Sequence, residues 1–78
     1  MLPAPLPDDR VLARRRAIGE QIRTARRVQK VTQEALGEKA GVDRQSINRI
    51  ENGHQAASID TLIRIAFALD TPLADLVR

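Results

Sequence analysis

Apolar positions recur along the chain at the spacings of helices. Val11, Ile18, Ile22 and Ala25 follow one another at intervals of seven, four and three, while Arg14, Arg15, Arg16, Arg23, Arg26 and Arg27 take other sides. This predicts a first helix from about Asp9 to Gln29, capped by Asp8 or Asp9, whose turns up to Arg16 carry the weakest pattern because Gly19 offers a place to break. Before it, "MLPAPLP" has three prolines in seven positions, which predicts an extended arm over residues 1–8. Thr32 is an N-cap, Glu34 suits the positive end of a helix dipole and Gly41 suits a left-handed exit, so a second helix runs from Gln33 to Ala40. Asp43 caps a third, from Arg44 to about Asn52, which Gly53 stops. Two short helices joined this tightly must cross at a large angle. Ser58 caps a fourth helix with Ile59, Leu62, Ile63, Ala66 and Leu69 facing inward, and Pro72 opens a last short helix carrying Leu73, Leu76 and Val77. The fold class is all-α: a compact five-helix bundle over residues 9–78.

The third helix separates its faces sharply. At 100° per residue from Arg44, Ser46, Ile47 and Ile50 fall between about 200° and 300°. Gln45, Asn48, Arg49 and Asn52 fall between about 40° and 140°, with Arg44 beside them. A solvated helix face more often uses Lys and Glu. Arg can donate two bonds to guanine O6 and N7, and Gln or Asn can pair with adenine N6 and N7, so this face has the chemistry of a major-groove reader.

Composition narrows the field. The chain has 78 residues, 42% of them apolar but only one aromatic, Phe67, so a single core must be built from Leu, Ile, Val and Ala. Cysteine is absent and His54 is the sole histidine, which excludes thiolate or histidine-cluster metal sites. Asp8 and Asp9 read as cap and first-turn residues rather than catalytic carboxylates, and no nucleophile is paired with a base. No enzyme, cofactor or metal is expected. No apolar run approaches the roughly 20 residues that span a bilayer, and the N-terminal stretch is too short for a signal peptide, so a cytoplasmic protein away from membranes is expected. The net charge of +3 is concentrated at the front, where residues 1–31 hold eight Lys or Arg against three acids. A polyanion against that region would suit it; a solvated basic helix face accounts for it equally well.

The stretch "TQEALGEKAGVDRQSINRIENG" resembles the helix-turn-helix of the lambda-repressor/Cro-like, or xenobiotic-response-element, family. With Gln33 as first position, the family pattern asks for a small fifth residue and a ninth glycine, met by Gly37 and Gly41. Its apolar positions are met by Leu36, Ala40, Val42, Ile47 and Ile50. "IGEQIRTARR" resembles the family's first helix and "SIDTLIRIAFALDTPLADL" its last two. The resemblance implies that Arg44, Gln45, Asn48 and Arg49 read bases, that Thr32, Gln33, Asn52 and Gly53 contact phosphate, and that Arg26 pairs with Glu51 as a structural ion pair. The chain departs from the pattern at Lys30, where relatives often have Gly, at Gly37 in place of Ala, at Ala57 in place of Pro, and in a "HQAA" loop lacking basic residues. Arg10 and Arg14 to Arg16 are candidates to compensate on phosphate.

The resemblance implies a sequence-specific transcriptional regulator of double-stranded DNA, a repressor acting as a homodimer on a twofold operator. Leu73, Leu76 and Val77 are the first candidate for the dimer contact, with Val11, Leu12 and the arm as the other. The alternative is an interaction module, an antitoxin or co-regulator working through a protein partner such as a toxin.

Overall fold

A computed structural model describes residues 8–78 and places them in five helices: α1 (Asp9–Val28), α2 (Gln33–Ala40), α3 (Arg44–Glu51), α4 (Ile59–Ala68) and α5 (Leu73–Val77). No strand occurs among the described residues. The expected arm lies, as far as Pro7, outside them; Asp8 belongs to the first helix as its N-cap.

Four helices start the same way. Asp8, Thr32, Asp43 and Ser58 are extended, and each side chain accepts the N–H three residues on, from Val11, Ala35, Ser46 and Thr61, at 2.8–3.1 Å. The same four helices also end alike. Lys30, Gly41, Gly53 and Asp70 take left-handed φ of 57°, 70°, 73° and 49°. The next residue's N–H returns to the turn before, Val31 to Arg26 O, Val42 to Gly37 O, His54 to Arg49 O and Thr71 to Ala66 O, so each end is a Schellman motif. Lys30 therefore adopts the left-handed conformation itself.

Ile22, Leu36, Ile47, Ile65, Leu69 and Leu76 are buried completely or nearly so, with Ala40, Ile50 and Ala66 around them, so every helix contributes to one core. Four sequence expectations change here. Val11 is half exposed, at the rim of a groove floored by Ile18, Ile50 and Leu62, because the facing loop at Ala56 and Ala57 has only methyl groups to offer it. Ile59 is exposed and Ile63 is half-buried outside the core, against the inward face expected of both, and Ile65 takes their place. Ser46 is only half-buried and donates to the Asp43 carboxylate rather than packing. Leu76 lies in the core, with Leu73 and Val77 half-buried against it, so of these three only Leu73 and Val77 keep accessible surface.

Helix α1 runs unbroken through Gly19. A Cβ there would stand 2.4 Å from Ile50 O and 2.5 Å from Glu51 O, so this glycine lets the end of α3 lie directly on α1. Gly37 does the same for the turn, since a Cβ would meet Val42 O at 2.4 Å. An alanine at this position would push the turn away. Side chains of α1 also tie down the far end of the molecule: Arg14 donates to Val77 O and Gln21 to Arg78 O, while Gln29 donates to Leu69 O.

Candidate nucleic-acid interface

Helix α3 rests on the protein through Ile47, Ile50 and Glu51, all buried. Its other side carries Arg44, Gln45, Asn48 and Arg49, all exposed, which with Asp43 line one shallow cleft. Arg44, Gln45 and Arg49 hydrogen-bond no other described side chain. Asp43 is occupied as a cap, and the Ser46 N–H and then the Ser46 hydroxyl hold its carboxyl below the usual carboxylate range.

Glu51 organises the helix from beneath. Arg26 reaches it with Nε at 2.7 Å from one oxygen and Nη2 at 2.9 Å from the other, the two-pronged geometry that a guanidinium offers a carboxylate. Arg26 Nη1 also donates to Val31 O at 2.9 Å, closing the end of α1. Gln33 donates to Glu51 at 3.2 Å from α2, and Arg23 at 3.4 Å from a second position on α1. Burial pushes the Glu51 carboxyl up, but the hydrogen bonds from Arg26 and Gln33, with the Arg26 charge, outweigh it and hold the group below its ordinary value. The same bonds raise the Arg26 guanidinium, against its own burial. Both shifts favour the ionised form of the pair.

From this carboxylate the network reaches the exposed polar face of α3. Arg23 donates to Asn52 Oδ1 at 2.6 Å, and Asn52 donates to Asn48 O at 2.9 Å and, at a long 3.4 Å, to Asn48 Oδ1. Asn48 in turn donates to Gln33 Oε1 at 3.3 Å. The two contacts to the Asn48 carboxamide are at the outer edge of hydrogen-bonding range, so they exchange easily for a better partner.

The predicted phosphate set divides. Thr32 and Gln33 sit together at the start of α2, where the first backbone N–H groups have no partner within the helix. Asn52 and Gly53 sit at the end of α3, where their N–H groups already donate to Asn48 O and Ile50 O and Gly53 is buried. Of the basic residues near the front, Arg10 pairs with Asp8 and Arg14 with the end of α5, whereas Arg16 lies against Gly53 beside the end of α3. His54 is exposed. Sequence reasoning missed Arg23, which it left among solvated arginines. Its spacing of three from Arg26 puts both on the side of α1 that faces Glu51, and that spacing was the available signal.

Among the described residues no group of His, Cys, Asp and Glu is placed to hold a metal ion, and no helix is long and apolar enough to cross a membrane. Comparison with known proteins gives a consistent result. A family described as helix-turn-helix matches residues 22–76. Solved structures that superpose on this chain include the restriction-modification controller protein C.AhdI from Aeromonas hydrophila, with TM-score 0.81 and 28% identity over 82% of this chain and 97% of that one. The clp gene regulator ClgR from C. glutamicum has TM-score 0.80 and 28% identity over 96% of this chain and 90% of its own. The P22 c2 repressor, solved in complex with a synthetic operator, has TM-score 0.73 and 30% identity over 78% of this chain and 92% of its own. No curated protein matches.

Proposed function

The chain belongs to the lambda-repressor-like helix-turn-helix family, and from that premise we propose that it is a transcriptional regulator that binds double-stranded DNA with α3 in the major groove. It represses by occupying a twofold operator as a dimer. One observation carries this reading: the Arg44, Gln45 and Arg49 tips stand exposed together on a helix whose opposite side is locked into the core and onto Glu51. Similarity to a repressor solved on its operator supports the same reading.

In this arrangement Arg44 and Arg49 offer bidentate donors to guanine, and Gln45 pairs with adenine. Asn48 joins them by exchanging its long contacts for a base edge. Phosphate is held at the N-terminus of α2, where the dipole and the backbone N–H groups of Gln33 and Glu34 favour an anion, with the Thr32 hydroxyl beside them. The Gln33 side chain is occupied between Glu51 and Asn48, so its backbone N–H is the donor. Asn52 and Gly53 contribute by closing α3 rather than through their amides. One helix reads too few base pairs for useful specificity, so two copies place their α3 helices about 34 Å apart on one face of the duplex.

Selection of bound sites from a pool of random duplexes tests the proposal. The expected result is a twofold symmetric consensus, bound with an affinity that falls steeply as salt rises. Failure of the folded protein to enrich any sequence would sink it, and would favour a module that works through protein contacts.

A further inference from the structure

Helix α4 has a second apolar face that the fold does not use. Its core side is formed by Ile65 and Ala66, with Leu62 and Ala68 packed partly against them. Ile59, Ile63 and Phe67 are spaced by four and make a separate stripe about 80° wide. Phe67 is 80% exposed and Ile59 69% exposed, and Ile63 between them is half-buried and stands outside the core. Phe67 is the chain's only aromatic residue, and exposing it to water is a cost that a solitary domain has no reason to bear.

The stripe is symmetric about its middle member. If two α4 helices meet antiparallel about a twofold axis at Ile63, the two Ile63 side chains face each other, and Ile59 of each copy lies opposite Phe67 of the other. The charges beside the stripe obey the same symmetry. Asp60 and Arg64 are both exposed, occupy one flank of the stripe, and form no ion pair within the chain among the described residues. In the antiparallel pair that flank lies on the same side in both copies, so Asp60 of each meets Arg64 of the other and two ion pairs run along one side of the apolar contact. A parallel pair would put the two charged flanks on opposite sides of the contact, where they cannot meet. Both the apolar and the charged pattern therefore fit a second copy of this chain.

We propose that two copies associate through α4, antiparallel about Ile63, and that this contact rather than α5 builds the dimer; the proposal deepens the twofold DNA-binding reading and rests on it for its purpose. Rows spaced by four on both helices favour a steep crossing, near −50°, which keeps the contact short. Three apolar side chains from each copy make a small interface of the transient class, so the dimer forms and separates with concentration.

Sedimentation equilibrium of the full chain across a wide concentration range, without DNA, tests it. The wild type is expected to show a monomer–dimer equilibrium, and Phe67→Ser to weaken it at least about tenfold while leaving the circular dichroism spectrum unchanged. Asp60→Arg and Arg64→Asp should each weaken association, and the double variant should restore it. A wild type that stays monomeric throughout, a Phe67→Ser chain that dimerises as the wild type does, or a charge swap that fails to restore association would each overturn the proposal. Arg49→Ala should dimerise normally. A chain that dimerises but binds no duplex refutes only the DNA reading, whereas one that binds a symmetric duplex with dimerisation untouched by Phe67→Ser refutes only this one.

Discussion

Helices α3 and α4 both carry side chains that the core does not need, but of opposite kinds. On α3 the surplus is polar and the anchor beneath it includes a buried carboxylate; on α4 the surplus is apolar and the anchor is aliphatic packing. Apolar packing resists translation of a helix better than small rotations about its own axis. A carboxylate gripped from α1 and α2 adds directional restraint, and a helix whose tips must meet base edges needs the rotation held. A helix that meets another copy through Ile and Phe needs only a complementary surface. On the two proposals above, the contrast teaches that the buried ion pair serves aim, while the apolar stripe serves adhesion.

The largest test of that difference is Glu51→Ala. It strands the guanidinium of Arg26, a residue only 8% exposed, without its carboxylate partner. Chemical denaturation should show a loss of about 3–5 kcal/mol, and a loss below about 1 kcal/mol would mean the pair does not hold α3. Gly19→Ala comes next. Alanine favours a helix, yet its methyl would overlap the Ile50 and Glu51 carbonyls, so a destabilisation of about 1–3 kcal/mol is expected where an open site would gain. Arg49→Ala moves the effect from stability to recognition: site-selected DNA should be bound about 1–3 kcal/mol more weakly, with relaxed preference at one position, and the melting temperature should hold.

A gentler probe is acid. Because the folded Glu51 carboxyl lies below its ordinary 4.5, the native state binds fewer protons there than the unfolded chain does. The stability it contributes is present in full above about pH 4.5 and is lost as pH falls through the lowered folded value. Glu51→Gln should flatten that part of the acid-unfolding profile, leaving the smaller contributions of the cap residues Asp8 and Asp43, whose carboxyls are lowered too. The smallest expected effect on stability is on the α4 stripe. Phe67→Ser should change the unfolding free energy of the monomer by under about 0.5 kcal/mol, and a larger loss would mean that Phe67 packs in the fold after all.

Much of this was legible in the sequence wherever a local rule sets the outcome. The starts of α1 to α4 follow from Asp8, Thr32, Asp43 and Ser58, and the ends of α2 and α3 from Gly41 and Gly53, so the helix boundaries agree with expectation to within a residue. The exposed polar face of α3 was legible because its apolar positions leave a single arc. Helix α4 was not, since apolar residues occur around most of it and two frames fit its periodicity; only packing against α2 and α5 selects Ile65 over Ile59. Leu76 was misplaced for a related reason, because five residues are too few for a face to declare itself. The contacts of Arg23 with Glu51 and Asn52 join residues 28 and 29 positions apart, and no propensity encodes them.

The grip on Glu51 from two neighbouring helices also bears on how errors are rejected. A reader free to rock could soften a mismatched base pair by tilting, spreading the misfit over several contacts. With α3 in the groove as proposed, the four hydrogen bonds to Glu51 resist such tilting, so a wrong base leaves a donor or an acceptor stranded, and fidelity follows from stiffness as much as from the identity of the fingertips.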